Sequence, residues 1–494
     1  MIHKMEKQYD EALNAFNMAL RSDEKCKEAW NNLGEVHNAK AEYEEAIKAL
    51  NQALRLDGKY IDAWINKGLA YANRRRPKTA IKCFNRVLEL DPKSKVAWNS
   101  KGYALSVIDR IDDAIKCYKR AIVLDKNNKE GWYQMGLLEL KKNNKKRALW
   151  CYDKALNIDD KYGPAWHAKG IAQKESGEIE EAIESFDRAI ESDPTIEDAW
   201  VRRGLTLVEL ERGDEAVESF TEVLKRNENI KEAWDGKGEG EVQGGEHGEA
   251  LKDFDKALRL DRSFARAHYD NASALHDLNM TKEALRSYER ATEKDPNNAS
   301  AWCDKGVAYY ENGDHLGAVK AFLEALKLDN KDEFIWSNLG SALMAVDKKD
   351  QAIKCFERST VLSPDDPHTW YNKATTLAAL GDHKKALRAF DITVSMDRRY
   401  AKAWNNRAVS CVALKRYREA EYCYDQALKV EKENSEVWHN KGKVLELVGR
   451  LDEALTCYDM ALELSPKDKE TVDDRKLCLQ KIEEREKDEE SVEA

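Results

Sequence analysis

"AWNNLG" occupies residues 29–34, and close variants return in step: "AWINKG" at 63–68, "AWNSKG" at 97–102, "AWHAKG" at 165–170 and "AWCDKG" at 301–306. The tryptophans mark the period. They stand at 30, 64, 98, 132, 166, 200 and 234, then at 302, 336, 370, 404 and 438, with His268 in the skipped place. Every step is 34 residues, and only Trp150 lies outside the series. Four residues after each member comes Gly or Ala, from Gly34 and Gly68 to Ala408 and Gly442. Sixteen residues after each comes Ala, from Ala46 to Ala454. Four further on stands an aromatic, from Phe84 to Tyr458, except that Leu50 holds the first place.

These spacings are helical. Trp and the small residue are i and i+4 on one helix face, while Ala46, Leu50 and Ala53 are i, i+4 and i+7 on another. Small residues where two helices cross let the axes approach to the short end of about 8–10 Å. "DP" at Asp91-Pro92, Asp193-Pro194 and Asp295-Pro296 marks where the second helix of a unit stops. Each unit is therefore a helix–turn–helix that cannot bury its apolar face alone, and stacking is obligatory. The pattern predicts an all-α protein. Its parts are the second helix of an incomplete repeat over 1–26, thirteen repeats over 27–468, a capping helix over 469–482 and an acidic, frayed tail over 483–494. In the first of these Ala12, Phe16 and Ala19 are in register, and in the cap Val472, Leu479 and Ile482 point inward.

The columns resemble the signature of the tetratricopeptide repeat family, W-x2-L-G-x2-Y, then A-x3-F, then P. The resemblance covers nearly the whole chain and implies a right-handed α-solenoid superhelix. It departs from the family in two columns. The leucine before glycine is basic in nine repeats, including Lys67, Arg203, Lys305, Lys373, Arg407 and Lys441, whose stems are expected along apolar surface with their charges in water. The tyrosine column survives only at Tyr71 and Tyr309.

Glycines crowd "DGKGEGEVQGGEHGEAL" at 235–251, where a nucleotide loop is one conceivable reading. A phosphate loop needs strand-then-helix context and Ser or Thr after Gly-Lys, whereas Lys237 is followed by Gly238. Gly238 is the column residue and Gly245 a turn residue. Gly236 and Gly240 are extra, and each is expected to weaken its helix by about 1 kcal/mol relative to alanine. With His268 and Ala272 in the next repeat, residues 231–298 are expected to form a soft point.

No chemistry of catalysis is legible. Cys83, Cys117, Cys151, Cys355, Cys423 and Cys457 share one column with alanine and serine, which asks for a small residue rather than a sulfur. Equivalent places in successive repeats are too far apart for disulfides. Cys303, next to Trp302, is a candidate reactive thiol. The ten histidines fall in no H-E-x-x-H, and no cysteine pair has zinc spacing. No enzyme activity, cofactor or metal is expected.

Binding is the remaining class. In the family the first helices line a concave groove. The residue two after Trp would face it: Asn32, Asn66, Asn338, Asn372, Asn406 and Asn440. An asparagine amide offers donor and acceptor, so such a ladder can grip a peptide backbone of any sequence. It resembles the asparagine ladder of O-linked N-acetylglucosamine transferases, and Tyr371, Asn405 and His439 stand beside it. The family's carboxylate clamp is not met, because no Trp here is followed by Lys. The expected partners are proteins or extended peptides. The alternative is the recognition arm of a larger protein whose catalytic part lies elsewhere.

Charge is segregated. Residues 61–162 carry 23 basic against 12 acidic residues, net +11, and residues 163–264 carry 14 against 26, net −12. Self-association through these halves, or through the open N-terminal face, is a further expectation. The net charge of −10 makes nucleic acid an unlikely partner. No apolar run approaches a membrane span and no leader is read, so the expected place is the cytoplasm.

Overall fold

A computed structural model describes the backbone of residues 2–493 and the side chains of residues 8–486. Among these residues every regular element is a helix. Helix α1 (Ile2–Ser22) precedes thirteen helix pairs, which run from α2 (Lys27–Ala39) with α3 (Tyr43–Leu56) to α26 (Ser435–Leu447) with α27 (Leu451–Leu464). Helix α28 (Lys469–Glu493) closes the series. None of the described helices is long and apolar enough to cross a membrane. The chain divides into two compact units, 1–245 and 246–494, and each is an α-solenoid. Their boundary falls inside the irregular stretch 231–298. Within each unit a helix packs on its sequence neighbours, and first helices also meet the first helix of the next repeat.

The Trp column holds the loops. The indole Nε1–H of Trp30, Trp64, Trp98, Trp166, Trp200, Trp234, Trp302, Trp336, Trp370, Trp404 and Trp438 donates to the main-chain carbonyl six residues earlier, at 2.7–3.2 Å. His268 keeps the bond, its Nε2 lying 3.2 Å from the Arg262 carbonyl. A carbonyl only accepts, so the ring must hold its proton on Nε2. Histidine is thus a smaller residue with the same donor. In the same loops an Asp or Asn side chain accepts the N–H two residues on, as Asp57 does from Lys59 at 2.9 Å and Asp261 from Ser263 at 2.8 Å. The "D" of "DP" is therefore an Asx turn as well as a helix stop.

The glycine column is set by contact. A Cβ on Gly68 would lie 2.5 Å from Phe84 Cε1, and one on Gly136 would lie 2.4 Å from Tyr152 Cε1. The aromatic of the second helix thus lies flat against bare backbone of the first. Free, buried thiols occupy the cysteine column, as its size demands.

Several expectations change on contact with the structure. Gly236 and Gly240 are not idle. A Cβ at 236 would meet Phe220 Cζ at 2.4 Å, and one at 240 would meet the Gly213 carbonyl oxygen at 3.0 Å. Helix α14 (Lys231–Gln243) needs both glycines to lie against α13 (Gly213–Leu224). The basic column does not leave its charges in water. Lys67, Lys101, Lys169, Lys305, Lys373 and Lys441 place their ammonium 4.6–5.7 Å from the ring centre of the Trp three residues before. Several also reach a carboxylate on the neighbouring second helix, as Lys441 reaches Asp425 at 2.7 Å and Arg407 reaches Asp391 at 2.7 Å. A cation over an indole face does the work of the family's leucine and adds charge attraction.

The ends also differ. In α1, Phe16 packs on α2 with Leu13 and Leu20, while Ala19 is exposed because its face has no first helix to meet. Helix α28 does not stop near 482 but runs through the acidic stretch to Glu493, whose side chains from 487 lie outside the described residues. Its inward face is Thr471, Cys478 and Ile482, with Leu479 half-buried. Val472, in the Trp register, is exposed because it is too short to fill an indole's place.

Two outcomes follow. Gly236→Ala removes a poor helix former, which by propensity alone should stabilise by about 1 kcal/mol. The contact with Phe220, a fully buried ring, reverses the sign, and denaturant unfolding should show a loss of about 1–3 kcal/mol. The second concerns acid. The ammonium groups of Lys27, Lys95 and Lys129, and then the loop N–H groups, hold the carboxyls of Asp57, Asp125 and Asp159 below the usual range. Their stabilisation is therefore present above about pH 4 and lost as pH falls through the depressed values. Asp57→Asn, Asp125→Asn and Asp159→Asn combined should lower the neutral-pH unfolding midpoint and erase the difference from wild type near about pH 2.

Candidate peptide-binding surface

The first helices present two adjacent polar positions, one and two residues after the Trp column, and these bond across repeats at a spacing of thirty-five. Asn66 Nδ2 donates to Asn31 Oδ1 at 3.1 Å, Asn406 Nδ2 to the Tyr371 hydroxyl at 2.9 Å, and Asn440 Nδ2 to Asn405 Oδ1 at 3.5 Å. The Tyr269 hydroxyl donates to Asp304 Oδ2 at 2.9 Å, and His439 Nε2 lies 2.9 Å from Asp474 Oδ2 in the same register. In these repeats the second position is thus tied to the first position of the repeat before.

This sorts the expected site residues. Asn338, Asn372, Asn406 and Asn440 are half-buried on α20 (Glu333–Ala345), α22 (Pro367–Ala379), α24 (Ala401–Ala413) and α26. These four first helices adjoin one another in order. Asn32 and Asn66 hold the same place on α2 and α4 (Ile61–Asn73), where Asn32 Oδ1 accepts from Asn31 at 3.3 Å. An amide that gives one N–H to the helix behind it keeps a second N–H and a carbonyl oxygen for a ligand's main chain. Asn405 and His439 are placed differently. They are 8% and 6% exposed and act as rungs behind the ladder, bonded to Glu436 and Asp474. Tyr371 is half-buried, with its ring centre 5.0 Å from that of Tyr400 and the two planes tilted by 42°. Burial raises its hydroxyl pKa and so keeps it protonated.

Two other candidates resolve. Burial pushes the Cys303 thiol up to about 12, so it lacks the thiolate a reactive cysteine needs. His439, Glu470 and Asp474 bring three metal-type ligand atoms together, but Lys443 already stands among them, 2.9 Å from Glu470 and 3.6 Å from Asp474. The basic runs at 73–78 and 141–147 fall at turns between paired helices. They are partly neutralised by the preceding repeat, with Lys141 on Asp109 at 2.8 Å and Lys142 on Asp112 at 2.7 Å.

One feature escapes sequence reading. In the first unit a pocket of about 260 Å³ opens between first helices, lined by Leu69, Asn73, Asn99, Tyr103 and Gln134. The Tyr118 hydroxyl at its wall is buried with no hydrogen-bond partner. The one sequence signal is Ser100, a small residue where neighbouring repeats carry asparagine or glutamine.

Comparisons agree with this architecture. Models described as tetratricopeptide repeat match residues 6–61, 61–94, 96–128, 130–162 and 167–229. The model for the cilia and flagella-associated protein 70 C-terminal domain matches residues 267–494. Similar solved structures include the APC/C hetero-tetramer Cut9–Hcn1, at 16% identity over 96% of this chain and 94% of that one, with a TM-score of 0.36. MamA has 26% identity over 33% of this chain and 95% of its own, with a TM-score of 0.31. YrrB, titled a TPR protein with an unusual peptide-binding site, has 25% identity over 38% and 96%, with a TM-score of 0.35. No curated protein matches the chain. An array of this kind is in general a protein-interaction scaffold. With the indole, glycine and aromatic columns engaged as described and the repeats matched in turn along the sequence, the chain belongs to the tetratricopeptide repeat family.

Proposed function

We propose that the protein is a non-catalytic scaffold that holds an extended partner segment along its first helices, in the concave groove, by main-chain hydrogen bonds. The observation that carries this is the thirty-five-residue register of bonds on the first helices. Each bond fixes an amide's orientation before a ligand arrives, so less side-chain freedom is lost on binding. Asn338, Asn372, Asn406 and Asn440 form the longest unbroken run of this position and are the main grip. Asn32 and Asn66 repeat it near the N-terminus. Main-chain recognition sets affinity without sequence preference, and the pocket beside Tyr103 and Tyr118 supplies room for one anchoring side chain. The proposed setting is the cytoplasm, where ten cysteines remain thiols.

A second reading is the recognition arm of a larger assembly. It is favoured by the match of residues 267–494 to a model described as a C-terminal domain.

The test is a pull-down with the full chain against Asn338→Ala, Asn372→Ala, Asn406→Ala and Asn440→Ala combined. Asn330→Ala serves as a control, since that exposed loop amide lies off the first helices. If the four amides hold the partner, recovery should fall roughly tenfold or more in the quadruple variant, since each lost bond is worth about 1 kcal/mol. The control should retain its partners, and helicity should be unchanged in both. Equal recovery by wild type and a folded quadruple variant would sink the groove reading.

A further inference from the structure

The repeat that lacks its tryptophan has changed in more than one column. Most repeats carry an apolar residue twenty-six positions after the Trp, as at Leu90, Leu124 and Leu328, with Ser192 and Arg226 as exceptions beside full tryptophans. In this repeat that place is Lys294, and the Trp place itself is His268. The indole and the usual apolar residue are replaced at once by an imidazole and an ammonium. The result is a cleft of about 480 Å³ in the second unit. It lies between the C-terminal ends of α15 (His247–Leu260) and α17 (Thr281–Lys294), with His268 of α16 (Ala265–Asp277) in its wall.

Four cations line the cleft against two carboxylates, Asp255 and Glu293. Arg259 pairs with Asp255 at 3.0 Å and Lys294 with Glu293 at 3.0 Å. Both cations also sit in last turns, where they answer the helix dipole. Arg262 and Arg290 are different. Among the described residues neither is in an ion pair, and Arg262 lies beyond the end of its helix. His268 is 5% exposed and gives its Nε2–H to the Arg262 carbonyl, which fixes that loop against the cleft wall. Burial, with Arg290 and Lys294 nearby, holds its pKa below the usual value, so the ring adds no charge at neutral pH.

We propose that this cleft is an anion site for a phosphate dianion, gripped by the guanidinium groups of Arg262 and Arg290. The two forked donors match the oxygens of a tetrahedral dianion, and two unpaired positive charges match its charge. The space left by the indole and the apolar residue is larger than the anion, so it admits the group on a short side chain as well as free in solution. The site does not depend on the groove reading, since it uses none of the first-helix amides.

The test uses the full chain with inorganic phosphate and with doubly capped phosphoserine at constant ionic strength, reading the unfolding midpoint and the phosphorus-31 line width. Wild type should show a higher midpoint and a broadened line with either probe. Arg262→Gln with Arg290→Gln should weaken binding by roughly tenfold or more, since each lost charge-assisted bond is worth about 1.5–3 kcal/mol. His268→Trp restores the column residue and fills the cleft. It should abolish the response while leaving the ligand-free midpoint equal to or above that of wild type. Tighter binding of capped phosphoserine would assign the site to phosphorylated side chains, and equal or weaker binding would assign it to free phosphate. The proposal fails if wild type responds no more than to chloride, or if all three proteins respond alike.

Discussion

One hydrogen bond, from an indole N–H to the carbonyl six residues before it, fixes how the loops meet the helices that follow, in every Trp repeat but that of Trp132. A chain of repeats has few contacts between residues far apart in sequence, so its geometry is set at each junction by what crosses that junction. Here the crossing group is the tryptophan. Its ring packs between successive second helices, and its nitrogen closes the loop that joins the first of them to the next first helix. The Asx turn on the preceding Asp or Asn pre-forms that loop, so the bond is made with little further ordering. The same requirement explains His268, the one other side chain in the column, which is smaller but keeps a ring N–H in place.

Because the Trp column bears this duty, the neighbouring positions are released for others. Three residues on, a cation lies over the indole face and often reaches a carboxylate on the second helix of the preceding repeat. One and two residues on, polar side chains tie successive first helices and leave amide groups outward. In the groove proposal, structure and recognition use adjacent residues of one helical turn, and grip on a partner comes from several amides in line.

Much of this was legible in the sequence, and what was not has a common cause. Period 34 assigns every residue to a column, so the helix pairs, the glycine column and the small cysteine column could all be read directly. A column does not say what its residue touches. Gly236 and Gly240 read as weak points because propensity is local, whereas the Phe220 ring and the Gly213 carbonyl they admit lie on another helix. Lys373 read as a snorkelling surface residue because nothing in its column shows the indole beneath it. Asn405 and His439 read as groove residues, yet a one-residue step around a helix separates an outward amide from a buried rung. Val472 read as inward because the register was extended past the last Trp, where the shorter side chain no longer fills its place. The cleft beside His268 needed three columns at once, and only the folded chain brings them together.

The most direct test of this account is the hydrogen exchange of the indole N–H groups, followed by nuclear magnetic resonance on the intact chain. The column indoles bonded to loop carbonyls should exchange slowly and together, at rates set by opening of their own junctions. Trp150, which is outside the column and 40% exposed, should exchange fast. Column indoles that exchange at the rate of Trp150 would show that the bond does not hold the loops, and the account of how the repeats are joined would fail with it.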